Sequence, residues 1–137
     1  MGDMAKNIRG HLVGSTSITS LVPATNIAVS NSPLNIAGKQ VVIKDIPGKS
    51  HPKLDLESGI ITLMVVVDDS IAEPYSTCRS IVSAILTLLN KKDETLRNSY
   101  AQVRWFLKSG VEYIFNPEEN YWMGVISFDY VEGGIVD

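Results

Sequence analysis

Gly59-Ile60-Ile61-Thr62-Leu63-Met64-Val65-Val66-Val67-Asp68 is the most apolar run of the chain. It is rich in β-branched residues and well short of the ~20 apolar residues that cross a membrane, so it predicts a central strand covered on both faces. The strongest helical pattern follows it directly. Cys78, Ile81, Val82, Ile85, Leu86, Leu88 and Leu89 recur at spacings of three and four over residues 70–89, which places one apolar stripe against a sheet. Two starts compete for this helix. Ser70 with Glu73 has the spacing of a capping box, whereas Pro74 suits the first helical position of a helix that begins later.

Upstream, Ile8, Leu12 and Val13 give residues 3–13 one apolar side, and Gly14 ends that helix. Residues 17–22 add a further helical turn before Pro23. Ile27-Ala28-Val29 and Gln40-Val41-Val42-Ile43 read as short strands, and the turn-rich residues 45–58 read as a long loop, well beyond the ~4–6 residues of a typical connection. Downstream, residues 100–108 alternate as a half-buried strand, and Ser109-Gly110 is expected to turn the chain. Residues 111–115 and 121–131 then form an antiparallel pair about Asn116-Pro117-Glu118-Glu119-Asn120, with Trp122, Ile126, Phe128 and Tyr130 on one face. The expected fold is α+β: a single mixed, mostly antiparallel sheet with two helices packed on one face, spanning residues 1–137 as one domain.

The chain has 137 residues, 45% hydrophobic and 20% charged, which is the balance of a globular domain. Twelve Lys and Arg against fifteen Asp and Glu leave a formal charge of −3 and argue against a backbone-tracking nucleic-acid face. Enclosing DNA in a channel needs no such face. One cysteine, Cys78, excludes an intrachain disulfide, and no signal peptide or membrane span is legible, so the expected setting is cytoplasmic.

The candidate chemistry is thin. Gly48-Lys49-Ser50 resembles the end of a phosphate-binding loop, but position 43 is Ile43 where that motif needs glycine, and no helix pattern follows. Asp68-Asp69 offers two carboxylates for a hard cation without a third ligand, and acidic residues ahead of a helix are stabilised by its dipole in any case. His11 and His51 are the only histidines, far from Cys78 in sequence, and no nucleophile elbow accompanies His51. The aromatics Trp105, Phe106, Tyr121, Trp122, Phe128 and Tyr130 lack the interleaved basic residues of a nucleic-acid platform, so they read as core and protein interface. No enzyme, cofactor or metal is expected.

The layout of N-terminal helix and turn, long loop at 45–58, strand 60–68 running into helix 72–89, and closing strand Tyr121-Trp122-Met123-Gly124-Val125-Ile126-Ser127-Phe128-Asp129-Tyr130 resembles the tail terminator, or tail completion, proteins of long-tailed bacteriophages. That resemblance implies a structural virion protein at the neck, in a ring that is usually hexameric. Such a ring caps the tail tube and receives the head connector. Its implied partners are further copies of itself, the tail tube protein and the head–tail connector protein, with DNA met only inside a channel. The implied location is host cytoplasm during assembly and the virion thereafter. The family supplies no motif that assigns interface residues; the reading of the residues themselves puts a subunit or partner interface at Pro47, Gly48, Lys49, Ser50, His51, Pro52 and Lys53, with Trp122 as an aromatic anchor. Two alternatives stay open: a head-completion or connector adaptor, and a small ligand-binding domain with its pocket beneath residues 45–58.

Overall fold

The apolar run lies at the centre of a sheet. In the computed structural model, which describes residues 4–51, 56–89 and 103–133, the chain forms α1 (Met4–Val13), α2 (Thr16–Thr19), β1 (Ile27–Val29), β2 (Lys39–His51), β3 (Leu56–Asp68), α3 (Pro74–Leu89), β4 (Val103–Asn116) and β5 (Tyr121–Gly133). A short 3-10 turn, Ala24–Asn26, leads into β1. The strand order is β1-β2-β3-β5-β4. β1 runs parallel to β2, and every other pairing is antiparallel, so the sheet is mixed. β5 is inserted between β3 and β4, and α3 begins the connection from one to the other.

Side-chain alternation sorts the sheet into two unlike faces. Val41 and Ile43 of β2, Ile61, Leu63, Val65 and Val67 of β3, and Ile126, Phe128 and Tyr130 of β5 point to the helical side and are buried. They meet Met4, Ile8 and Leu12 of α1, Ile18 of α2, and Cys78, Ile81, Val82, Ile85 and Leu89 of α3 in one cluster. Full burial of each such aliphatic side chain is worth about 1.5–3 kcal/mol relative to exposure, which is why the stripe on α3 decides where that helix sits. α1 covers β1 and β2, and α3 covers β3 and β5. The other face has no helix on it among the described residues. There Gln40, Val42 and Val66 are buried. The Gln40 amide accepts the Leu34 N–H at 2.7 Å and donates to the Leu34 carbonyl at 3.0 Å, which anchors the β1–β2 connection on this side. Towards the other end of the strands Ile46 and Ile60 are exposed, so β3 is covered on both faces only in part.

Two glycines permit the packing. A Cβ on Gly124 of β5 would stand 2.7 Å from Val82 Cγ2 and 3.2 Å from Cys78 Sγ, so its absence sets how closely α3 lies on the sheet. A Cβ on Gly59 would stand 2.7 Å from the Tyr130 hydroxyl. The Tyr130 ring lies across this gap, and its hydroxyl donates to Asp45 Oδ1 at 2.7 Å, linking β5 to β2 over the top of β3.

Two expectations need correction, and the choice between two starts for α3 is decided. Residues 45–58 are not a loop. β2 runs on to His51 and β3 begins at Leu56, and the two pair along this length. Pro47 and Gly48 made the segment look like a turn, but between Pro47↔Gly59 and Ser50↔Glu57 the register advances three residues on β2 and two on β3. That is a β-bulge, where proline and glycine are tolerated. Ser109-Gly110 does not turn the chain either. It is a second bulge inside a continuous 14-residue β4, between Lys108↔Phe128 and Gly110↔Ser127. The start of α3 is Pro74, not Ser70. Glu73 adopts a left-handed φ of 50° and its carbonyl accepts the Thr77 N–H, while Ser70 is engaged in a turn with Asp68.

Candidate functional site

The structure separates the residues singled out as an interface. Pro47, Gly48, Lys49, Ser50 and His51 form the outer end of β2, opposite Gly59, Glu57 and Leu56 of β3. Pro52 and Lys53 lie outside the described residues. Trp122 is paired with Val67 at the other end of β3. Eight residues of extended chain separate Gly59 from Val67, roughly 27 Å at the strand rise. The two candidates are therefore not one surface. No loop remains at 45–51 to roof a ligand pocket, because those residues are strand.

Trp122 belongs to an aromatic group that short-range sequence spacing does not reveal. Its ring lies 4.5 Å from that of Tyr75 and 5.3 Å from that of Phe115, and Tyr75 stands edge-on to Tyr113 at 5.7 Å. Three elements contribute: Tyr75 from the first turn of α3, Tyr113 and Phe115 from β4, and Trp122 from β5. Trp122 is half-buried, whereas Phe115 remains 45% exposed and Tyr75 38%. The Arg79 guanidinium sits 5.8 Å from the Tyr75 ring centroid. Beside this group the β4–β5 turn is held by Asn116, whose Oδ1 accepts the N–H groups of Glu118 and Glu119, leaving both glutamates exposed.

Asp68 and Cys78 have structural engagements. Asp68 accepts the Ser70 hydroxyl and the N–H groups of Ser70 and Gly38. The Ser70 hydroxyl is the main reason its carboxyl stays below the ordinary range, against a smaller opposing effect of burial. Cys78 is buried under α3 with its S–H directed at Val65 O, 3.6 Å away, and burial pushes the thiol up to about 11, offset in part by the Gly124 N–H. Such a thiol is a poor nucleophile at neutral pH. Among the described residues no three His, Cys, Asp or Glu side chains converge as a metal site would require. None of their helices is long and apolar enough to cross a membrane.

What the arrangement does offer is open strand edge. β4 is the last strand of the sheet, and its outer side has no strand partner among the described residues. At the opposite end, β1 pairs with Val41, Val42 and Ile43, so among the described residues the outer edge of β2 is open from Lys44 onward. The notch where β1 stops is a groove of about 300 Å³ lined by Ala5, Val29, Ile43, Lys44 and Asp45, among others.

No protein-family model matches the sequence, and no curated protein does. Solved structures do match. A chain from the virion of a native gene transfer agent particle superposes with a TM-score of 0.74 over 93% of this chain and 92% of that one, at 15% identity. This chain shares that virion protein's fold. Near end-to-end coverage in both directions means that helices, sheet and hairpins correspond as a set, while 15% identity leaves side-chain chemistry to be argued from this sequence alone.

Proposed function

We propose that this protein is a structural component of a phage-like virion, working by contact with other proteins and not by catalysis. The observation that carries the reading is the whole-chain match to a virion chain of a gene transfer agent particle. Two features of this chain support it. Its exposed aromatic group and its two open strand edges suit protein contact, and the Asp68 carboxylate is taken up by local hydrogen bonds.

Within that class, the finer reading is the tail terminator of the neck: a ring, hexameric in form, that caps the tail tube and joins it to the head connector. A ring needs two different surfaces on each subunit, because head-to-tail contacts close a cycle whereas a self-complementary patch yields only a dimer. The open edges at opposite ends of the sheet satisfy that need. The test is light scattering across a concentration series with negative-stain imaging, alone and with purified tail tubes. The expected outcome is a closed ring with a central hole, seated at tube ends. A chain that stays monomeric and does not bind tube ends would overturn the reading.

A further inference from the structure

We infer that the acidic turn end of the β4 edge of one copy docks, through Phe115, into the notch at the β1–β2 edge of a second copy. This inference rests on the ring reading above and names the surfaces that would build it. Shape is the first argument. Phe115 lies on the outermost strand, 45% exposed despite its contact with Trp122, and Val111 on the same face of that strand is 36% exposed. At the far end of the sheet, Val29, 49% exposed, is the accessible apolar side chain of the notch, with Ala5 and Ile43 buried and Ser30, Asn31 and Lys44 among the polar lining. The exposed Phe115 and the exposed Val29 thus stand at opposite ends of one sheet, each on its helical face.

Charge is the second argument. Residues 4–46 contain Lys6, Arg9, Lys39 and Lys44 against Asp45 alone, and Asp45 accepts the Tyr130 hydroxyl. Residues 103–131 contain Glu112, Glu118, Glu119 and Asp129 against Arg104 and Lys108, and residues 111–120, which carry Phe115 and the β4–β5 turn, hold three of the acidic residues and no basic one. Arg79, over Tyr75, offsets one of these charges at the helical margin. The first stretch builds α1, β1 and the near half of β2, and residues 111–120 build the last part of β4 with the β4–β5 turn, so a basic β1–β2 edge stands opposite an acidic turn end of β4. Lys44 and Glu112 both alternate onto the face away from the helices. When a β4 edge approaches a β2 edge with the two sheets continuous, these side chains fall on the same side. Juxtaposing like edges would set positive against positive or negative against negative, so charge selects the head-to-tail register over the symmetric one. Strand edges that are open from Lys44 on β2 and along β4 can add main-chain hydrogen bonds to the contact.

The test uses two full-length variants. E112K/E118K/E119K makes both edges basic, and K6E/K39E/K44E makes both acidic. Circular dichroism and thermal melting check that each remains folded. Each variant alone is expected to be monomeric where the unmodified chain assembles, and an equimolar mixture is expected to restore assembly with the two proteins alternating. Phe115→Ser, which changes no charge, should raise the dissociation constant by about tenfold or more, in the range of an interface anchor. Retention of full assembly by both charge variants, or failure of their mixture to associate, would overturn the edge-to-edge contact while leaving the ring reading standing. A monomeric unmodified chain that also ignores tube ends would overturn both.

Discussion

Gly124→Ala should destabilise the protein by lifting α3 off the sheet, and Val82→Ala should relieve much of that cost. The added methyl would stand 2.7 Å from Val82 Cγ2, 3.2 Å from Cys78 Sγ and 3.3 Å from Tyr113 Cε1. The first distance is shorter than any carbon pair tolerates. Val82 is itself 1% exposed, with α3 at its back, so it has little freedom to swing away. Overpacking of this kind costs about 1–3 kcal/mol. For a chain of this length that lowers the melting temperature by roughly 3–10 °C, at a few degrees per kcal/mol. Val82→Ala alone removes buried methyls and should cost on the order of 1–2 kcal/mol. In the double variant the void left by one change receives the methyl of the other. The two losses should then fall short of their sum by about 1 kcal/mol or more, the size expected for side chains in direct contact. Urea titrations of the four proteins, followed by Trp fluorescence, measure this coupling. Additive losses, or a neutral Gly124→Ala, would refute the claim that the glycine sets the helix-to-sheet distance. The consequence reaches the proposed interface, because α3 carries Tyr75 onto Trp122 and Trp122 supports Phe115.

Tyr130→Phe should cost about 1–2 kcal/mol, the loss of one charge-assisted hydrogen bond, because it removes the 2.7 Å link to Asp45 while leaving the ring over Gly59; equilibrium unfolding checks this. Cys78 supplies an alkaline dependence. Its thiol is raised from 9.0 to about 11 by burial, so between those values the folded state holds a proton that the unfolded state has released, and stability should fall as pH rises from about 9 and level off above about 11. Cys78→Ala should abolish that part of the slope in unfolding experiments, and a thiol reagent at pH 7 should react with Cys78 only as fast as the protein opens.

Much of the architecture was legible from local pattern. The unbroken apolar run of β3 and the three-and-four spacing of α3 each depend on residues that are neighbours along the chain, and both stand where they were expected. Alternation likewise put Ile126, Phe128 and Tyr130 on one face. Local pattern failed where proline or glycine sits inside a strand. Pro47-Gly48 and Ser109-Gly110 carry turn chemistry, and nothing nearby in sequence says that a partner strand runs past them. Pairing with β3 in one case and β5 in the other absorbs the irregularity as a bulge and keeps the strand going.

The candidate interface divides along the same line. That Trp122 joins an exposed aromatic group follows from bringing Tyr75, Tyr113 and Phe115 beside it from α3 and β4, contacts across up to 47 positions of sequence that no spacing rule encodes. The basic character of residues 4–46 and the acidic character of residues 111–120 are written in the sequence by itself, as are the stripe of α3 and the apolar centre of β3. Only the tertiary structure decided that these two stretches occupy opposite ends of one sheet. Strand order is a global choice: inserting β5 between β3 and β4 lets both long hairpins pair while α3 covers the middle, and that insertion leaves β4 outermost with its acidic turn end and an exposed Phe115.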